Sequence, residues 1–272
     1  MIARVVRHLL ALLLLAAAQA LAQVPQTVFL DELTSSELRD QVRAGRRTII
    51  VPIGGTEQNG PHMVLGKHNV RVKVLAEKIA LALGDALVAP VMAYVPEGGI
   101  SPPTSHMRFP GTISIPDQTF QQILEYAARS LKLHGFRDIV FLGDHGGYQK
   151  DEQAVADRLN REWASAPTRV HALPEYYRTA AIAYADALRQ RGYPNDEIGT
   201  HAGLADTSLA LAIDPRLVRR DFLRSARAPG VDRASEGVTG DPRRASAELG
   251  QVGVDAIVAQ TVDAIKRATA RR

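Results

Sequence analysis

Histidines, carboxylates and glycines gather at three places in this chain. The first is Gly54-Gly55-Thr56-Glu57-Gln58-Asn59-Gly60-Pro61-His62, continuing to Gly66-Lys67-His68-Asn69. The second is Gly143-Asp144-His145-Gly146-Gly147, and the third is His201-Ala202-Gly203-Leu204-Ala205-Asp206-Thr207-Ser208. Cysteine is absent, which excludes thiolate zinc sites, iron–sulfur clusters, disulfides and cysteine nucleophiles. A metal site would therefore draw on His, Asp and Glu alone. Taken singly, a His or Glu in a loop is ordinarily a solvated or hydrogen-bonded residue, and a glycine pair ordinarily makes a turn. What points to chemistry is recurrence, because glycines that allow close backbone approach stand beside metal-competent side chains more than once. His134, just before Gly135, reads as a helix C-terminal cap, and His171 as structural.

The elements around these segments alternate. Thr48 to Ile53 is a short β-branched run without polar alternation, the pattern of a buried parallel strand, and it ends at Gly54-Gly55. Helical spacing follows over 70–83, strand-like residues over 86–94, and a Pro- and Gly-rich loop over 95–110. Loops of that length are uncommon in compact domains and are often functional. A helix over 117–134 leads to a strand over 138–142, which ends at the second polar segment. Further helices are expected over 148–163, 175–191, 202–213 and 246–267, with a strand over 168–173. This order predicts an α/β layer fold with a mainly parallel sheet, whose ligands bind beyond the carboxyl ends of the strands.

Composition narrows the class further. With 46% hydrophobic and 23% charged residues the chain is an ordinary globular protein, not a disordered tail, a fibre or a multi-span membrane protein. Its 33 basic and 29 acidic residues are too evenly balanced to imply nucleic acid. The basic stretch from Arg216 to Arg244 reads as solvated surface. Arg4 and Arg7, the apolar run from Leu9 to Ala18 and the small-residue site Ala20-Leu21-Ala22 form the pattern of a secretory signal peptide. Residues 1–22 are thus expected to be removed, leaving residues 23–272 as one α/β domain, periplasmic or secreted, with no stable membrane span. An uncleaved N-terminal anchor is the alternative.

Five motifs in order give the chain a resemblance to the creatininase, or creatinine amidohydrolase, family. Val51 to His62 resembles the family's Glu-Gln-His-Gly-Pro-His segment after its first strand. Ser105-His106-Met107-Arg108-Phe109-Pro110-Gly111-Thr112 is similar to its His-x-x-Phe-Pro-Gly-Thr segment, and Asp144 to Gly147 to its Asn-Gly-His-Gly-Gly-Asn loop. His201-Ala202-Gly203 with Asp206-Thr207-Ser208 resembles its His-Ala-Gly…Glu-Thr-Ser motif, and Gly240-Asp241-Pro242-Arg243 its late Gly-Asp-Pro segment. The resemblance implies a three-layer α/β/α fold, a homo-oligomer (a hexamer built from dimers), and metal-dependent hydrolysis of a non-peptide C–N bond in a small, often cyclic, amide. It also implies two zinc or manganese ions bridged by a carboxylate.

The departures fall at the metal positions. By the resemblance, Asn59 stands in place of a metal-binding His, His68 in place of the bridging Asp, and Asp206 in place of a Glu. A neutral imidazole offers one lone pair to a metal where a carboxylate can serve two ions. The expected site is therefore one divalent ion, zinc first and manganese or iron as alternatives, on Glu57, His68 and His145 with an open position for water. Asp206 either ligates the ion or orients His201, the expected proton-transfer residue. His62, His106 and Asn59 are assigned to the substrate pocket. Water activated by the ion would attack an amide carbonyl. A chain that keeps the fold but only binds a small molecule, or one that hydrolyses lactones, is the competing reading.

Overall fold

The computed structural model describes residues 27–225 and 235–270. The expected signal peptide, and part of the basic stretch after Arg216, lie outside the described residues. The chain enters through α1 (Ser35–Arg43), which the apolar periodicity did not mark. Its signal was a capping box: the Thr34 hydroxyl accepts from the Glu37 amide while the Glu37 carboxylate takes the Thr34 amide.

Strand β1 (Thr48–Ile53) is buried throughout, as its unbroken apolar run requires. It pairs in parallel with β2 (Ala86–Val88) on one side and β3 (Asp138–Gly143) on the other. β4 (Arg169–Ala172) extends the sheet beyond β3, giving the order β2-β1-β3-β4. Side-chain alternation splits the core into two layers. Ile49, Val51, Ile53, Ile139 and Phe141 pack beneath α3 (Asp117–Leu133) and α4 (Gln149–Glu162). Ile50, Val140 and Leu142 pack on the other face, against α2 (Lys67–Leu83), α7 (Leu204–Ile213) and α8 (Ala247–Thr269). The three-layer α/β/α expectation holds.

Three elements differ from the sequence pattern. The strand expected over 86–94 stops at Val88, with only an isolated bridge from Met92 to Ile53, because Pro90 has no N–H to continue the ladder. The helix expected over 175–191 is α5 (Pro174–Arg178) and α6 (Tyr184–Gln190) joined by a π-helical turn at Thr179–Ala183. Helix α2 begins three residues earlier than its apolar spacing suggests, so Lys67 and His68 fall in its first turn. Strands β2 and β3 leave β1 in opposite directions across the sheet. The crevice beyond the ends of β1 and β3 is the switch point where α/β sheets place their ligands.

Candidate active site

Glu57 follows β1 and is completely buried. Its two carboxylate oxygens face different neighbourhoods. Oε1 meets His68 Nε2 at 2.7 Å and Lys67 Nζ at 3.7 Å. Oε2 has no hydrogen-bond partner, and lies 3.2 Å from His106 Nε2 and 3.6 Å from His145 Nε2.

The Oε1 side is a closed ionic network built on the first turns of α2. His68 is held at both ring nitrogens, by Glu57 and by Asp144 Oδ2 at 2.6 Å. Arg71 donates to Asp144 at 2.8 Å and to Asp206 at 2.7 Å, and Lys67 pairs with Asp206. Tyr176 donates to the second Asp144 oxygen at 2.6 Å. Burial alone would neutralise these carboxyls. The cations outweigh it: Arg71 and His68 hold Asp144 below the usual carboxylate range, and Lys67 and Arg71 hold Asp206 well below it. Burial and Lys67 likewise disfavour a charge on His68, but Glu57 and Asp144 raise its pKa on balance. Both His68 nitrogens are thus engaged by carboxylates.

The Oε2 side is the opposite. Glu97 is buried, and neither of its carboxylate oxygens has a partner. Its backbone is fixed by the Ser114 hydroxyl, which accepts from the Glu97 amide at 3.0 Å and donates to the Gly98 carbonyl at 2.7 Å. Gly55 makes room for it: a Cβ there would sit 2.4 Å from Glu97 Oε1. Burial, reinforced by the charge on Glu57, pushes the Glu97 carboxyl up to about 8. Burial pushes His145 down to about 3 and lowers His106, so both rings are neutral; Nδ1 of His145 accepts from the Gly147 amide at 3.1 Å, and Nε2 of each ring faces Glu57 Oε2. One donor atom from each of Glu57, Glu97, His106 and His145 lies within 4.8 Å of the others. Orphaned buried carboxylate oxygens facing neutral imidazoles are a poor arrangement for a protein alone and a good one for a divalent cation. The residues therefore fit a metal ion. The set shares Glu57 and His145 with the one expected from sequence, adds Glu97 and His106, and leaves His68 out.

A cavity of about 650 Å³ opens beside this cluster, lined among others by His106, His145, His201, Gln58, Lys67 and Asp206. His201 lies 3.8 Å from Glu57 Oε1 through Nδ1, while its Nε2 lies 3.0 Å from the Gln58 carbonyl oxygen. Burial, then Lys67, lowers its pKa to about 4, so it is neutral. Asp206 accepts from the Ala202 amide beside His201 at 3.0 Å, in addition to its two cationic partners. His62 and Asn59 do not reach the cavity. His62 is buried against the Thr207 hydroxyl at 3.0 Å, and the Asn59 amide donates to the carbonyls of Glu57 at 2.9 Å and Val64 at 3.1 Å. They shape the loop that carries Glu57. Glu97 escaped the sequence reading; its only mark was a carboxylate before Gly98-Gly99 in a long loop.

A parallel α/β sheet carrying a buried His–carboxylate cluster beside a cavity at its switch point defines a metal-dependent α/β enzyme. The chain belongs to the creatininase family, whose model, described as creatinine amidohydrolase, matches residues 31–265. It is 26% identical to the creatinine amidohydrolase of Pseudomonas putida, over 89% of this chain and 97% of the relative. It is 30% identical to a mycofactocin precursor peptide peptidase of Mycobacterium tuberculosis strain CDC 1551 / Oshkosh, over 92% of this chain and 93% of the relative. A creatininase structure described as the Mn form superposes with a TM-score of 0.73 and 28% identity, covering 90% of this chain and 99% of that one. A Zn-Zn-type creatininase mutant superposes at 0.72 with the same identity and coverages. The chain is a creatininase-family hydrolase with a candidate divalent-metal site.

Proposed function

We propose that this chain hydrolyses a non-peptide C–N bond in a small linear or cyclic amide, using one divalent ion held by Glu57, Glu97, His106 and His145. The observation that carries this reading is the set of three buried carboxylate oxygens, Glu57 Oε2 and both of Glu97, that lack partners beside two neutral imidazoles. Zinc is the first choice of ion, because a set of two imidazoles and two carboxylates suits it. A single ion is favoured because Glu57 Oε1 is already taken by His68 and Lys67, so this carboxylate has one oxygen to give rather than two.

When bound, such an ion supplies a water acidified to a pKa of about 7 and a Lewis acid for the carbonyl. The chain's own residues do the rest. Neutral His201, its Nδ1 turned toward Glu57, takes a proton from the attacking water and returns it to the departing nitrogen, so that amide and water become acid and amine. Gln58 sets the two rings: its side-chain nitrogen donates to His106 Nδ1 at 3.1 Å, and its backbone carbonyl accepts from His201 Nε2 at 3.0 Å, which leaves the His201 lone pair on Nδ1. Asp206 orients the His201 loop through the Ala202 amide; its oxygens are otherwise occupied by Lys67 and Arg71. A cavity of about 650 Å³ suits a small molecule.

The test is a panel of linear amides, cyclic amides and lactones offered to zinc-loaded protein. Turnover of an amide, lost in His201→Ala with zinc still bound, is the expected result. Zinc binding with no turnover on the whole panel would contradict it. The sequence pattern of residues 1–22 further supports export to the periplasm, checked by N-terminal sequencing of the mature protein. The family resemblance supports a hexamer of residues 23–272, checked by light scattering. Among the described residues no helix is long and apolar enough to cross a membrane.

A further inference from the structure

Lys67 is an unusual residue to find where it lies. It is 1% exposed, and it occupies the first turn of α2, where the helix dipole opposes positive charge. That turn contains no acidic residue, and Lys67, His68 and Arg71 bring three basic side chains to the same helix end. Stability alone would disfavour the arrangement. Its ammonium has three N–H donors. One is used on Asp206, a second is directed at Glu57 Oε1 across 3.7 Å, and Lys67 lines the cavity next to the metal-competent cluster. The third donor remains for a ligand in the cavity.

Building on the proposed hydrolysis, we propose that Lys67 is a built-in second cation of the site, which hydrogen-bonds the substrate's carbonyl oxygen as that oxygen gains negative charge. In the addition step the water oxygen bonds to the carbonyl carbon, and the carbonyl π pair moves onto the oxygen that Lys67 faces. In the collapse that pair returns, the C–N bond breaks, and nitrogen receives the proton that His201 removed from the water. Lys67 therefore keeps its own proton throughout and acts by charge and hydrogen bonding. The ligand class it recognises is a tetrahedral oxyanion.

The experiment uses full-length mature protein loaded with zinc, and inorganic phosphate as the tetrahedral oxyanion, with zinc content and phosphate affinity measured calorimetrically. Wild type is expected to hold one zinc per chain and to bind phosphate. Lys67→Met should retain that zinc but bind phosphate about tenfold or more weakly, the scale of one lost charge-assisted hydrogen bond, while Lys67→Arg stays within about threefold of wild type. Should Met at this position cost the fold, seen by circular dichroism, Lys67→Gln replaces it with the same expected loss. Equal phosphate affinity in the neutral variant and wild type, or no phosphate binding by zinc-loaded wild type, would overturn the inference. Failure of wild type to bind zinc at all would instead overturn the proposed function beneath it.

Discussion

The two sides of Glu57 are built from similar residues and behave in opposite ways. Toward α2, every carboxylate meets a cation: Asp144 has Arg71 and His68, Asp206 has Lys67 and Arg71, and Glu57 Oε1 has His68. Toward the 95–110 loop, Glu97 and Glu57 Oε2 meet only neutral imidazoles. A closed network is a scaffold in which each carboxylate already has its cation. An open one has donor atoms whose burial is compensated only when something positive arrives. The lesson is that a cluster of metal-competent residue types divides by pairing, not by identity: His68 and His145 are both histidines near Glu57, yet carboxylates hold both nitrogens of His68, while His145 has a hydrogen-bond partner at Nδ1 alone.

The largest effect should come from breaking the closed side. Arg71→Met strands Asp144 and Asp206 in the interior without their guanidinium, and should destabilise the chain by about 3–5 kcal/mol in denaturant titration. On the open side the same kind of truncation should spare the fold and strike the metal. His145→Ala is expected to weaken zinc affinity by more than about 100-fold, since even groups that merely orient ligands are worth about 10–100-fold. A loss of stability like that of Arg71→Met, with zinc affinity intact, would erase the distinction between the two sides.

Glu97→Gln sharpens it further, because its two effects have opposite signs. It should lower zinc affinity by at least about tenfold and yet stabilise the metal-free protein. The sign follows from linkage. The folded-state pKa of Glu97 is raised from 4.5 to about 8, so the folded chain binds this proton more tightly than the unfolded chain does. Metal-free wild type should therefore lose stability as pH climbs from 4.5 toward 8 and level off above that, and the Gln variant should show a flatter profile. The smallest effect belongs to Gly55→Ala. Its φ of 153° suits glycine, and a Cβ there would press on the Glu97 carboxylate, so a loss of about 1 kcal/mol with a several-fold drop in zinc affinity is expected.

Much of this was legible in the sequence, for identifiable reasons. β1 and β3 were readable because buried parallel strands are unbroken apolar runs, and the glycines after them marked the switch point. Glu57, His145 and His201 were marked because they stand in those segments or in a family motif, and the fold brings them together. Glu97 was not, since its position depends on Ser114, 17 residues away, and on the missing side chain of Gly55. The fate of His68 was equally hidden. Its residue type permits metal binding, and only Asp144, 76 residues on, claims its second nitrogen. Pairing across such separations is a property of the fold, which local pattern does not encode.

The most direct test of the division is anomalous diffraction at the zinc edge from crystals of the zinc-loaded protein. One peak per chain is expected, contacted by Glu57, Glu97, His106 and His145, with His68 still between Glu57 and Asp144. A peak ligated by His68, two peaks bridged by Glu57, or no peak in excess zinc would contradict it.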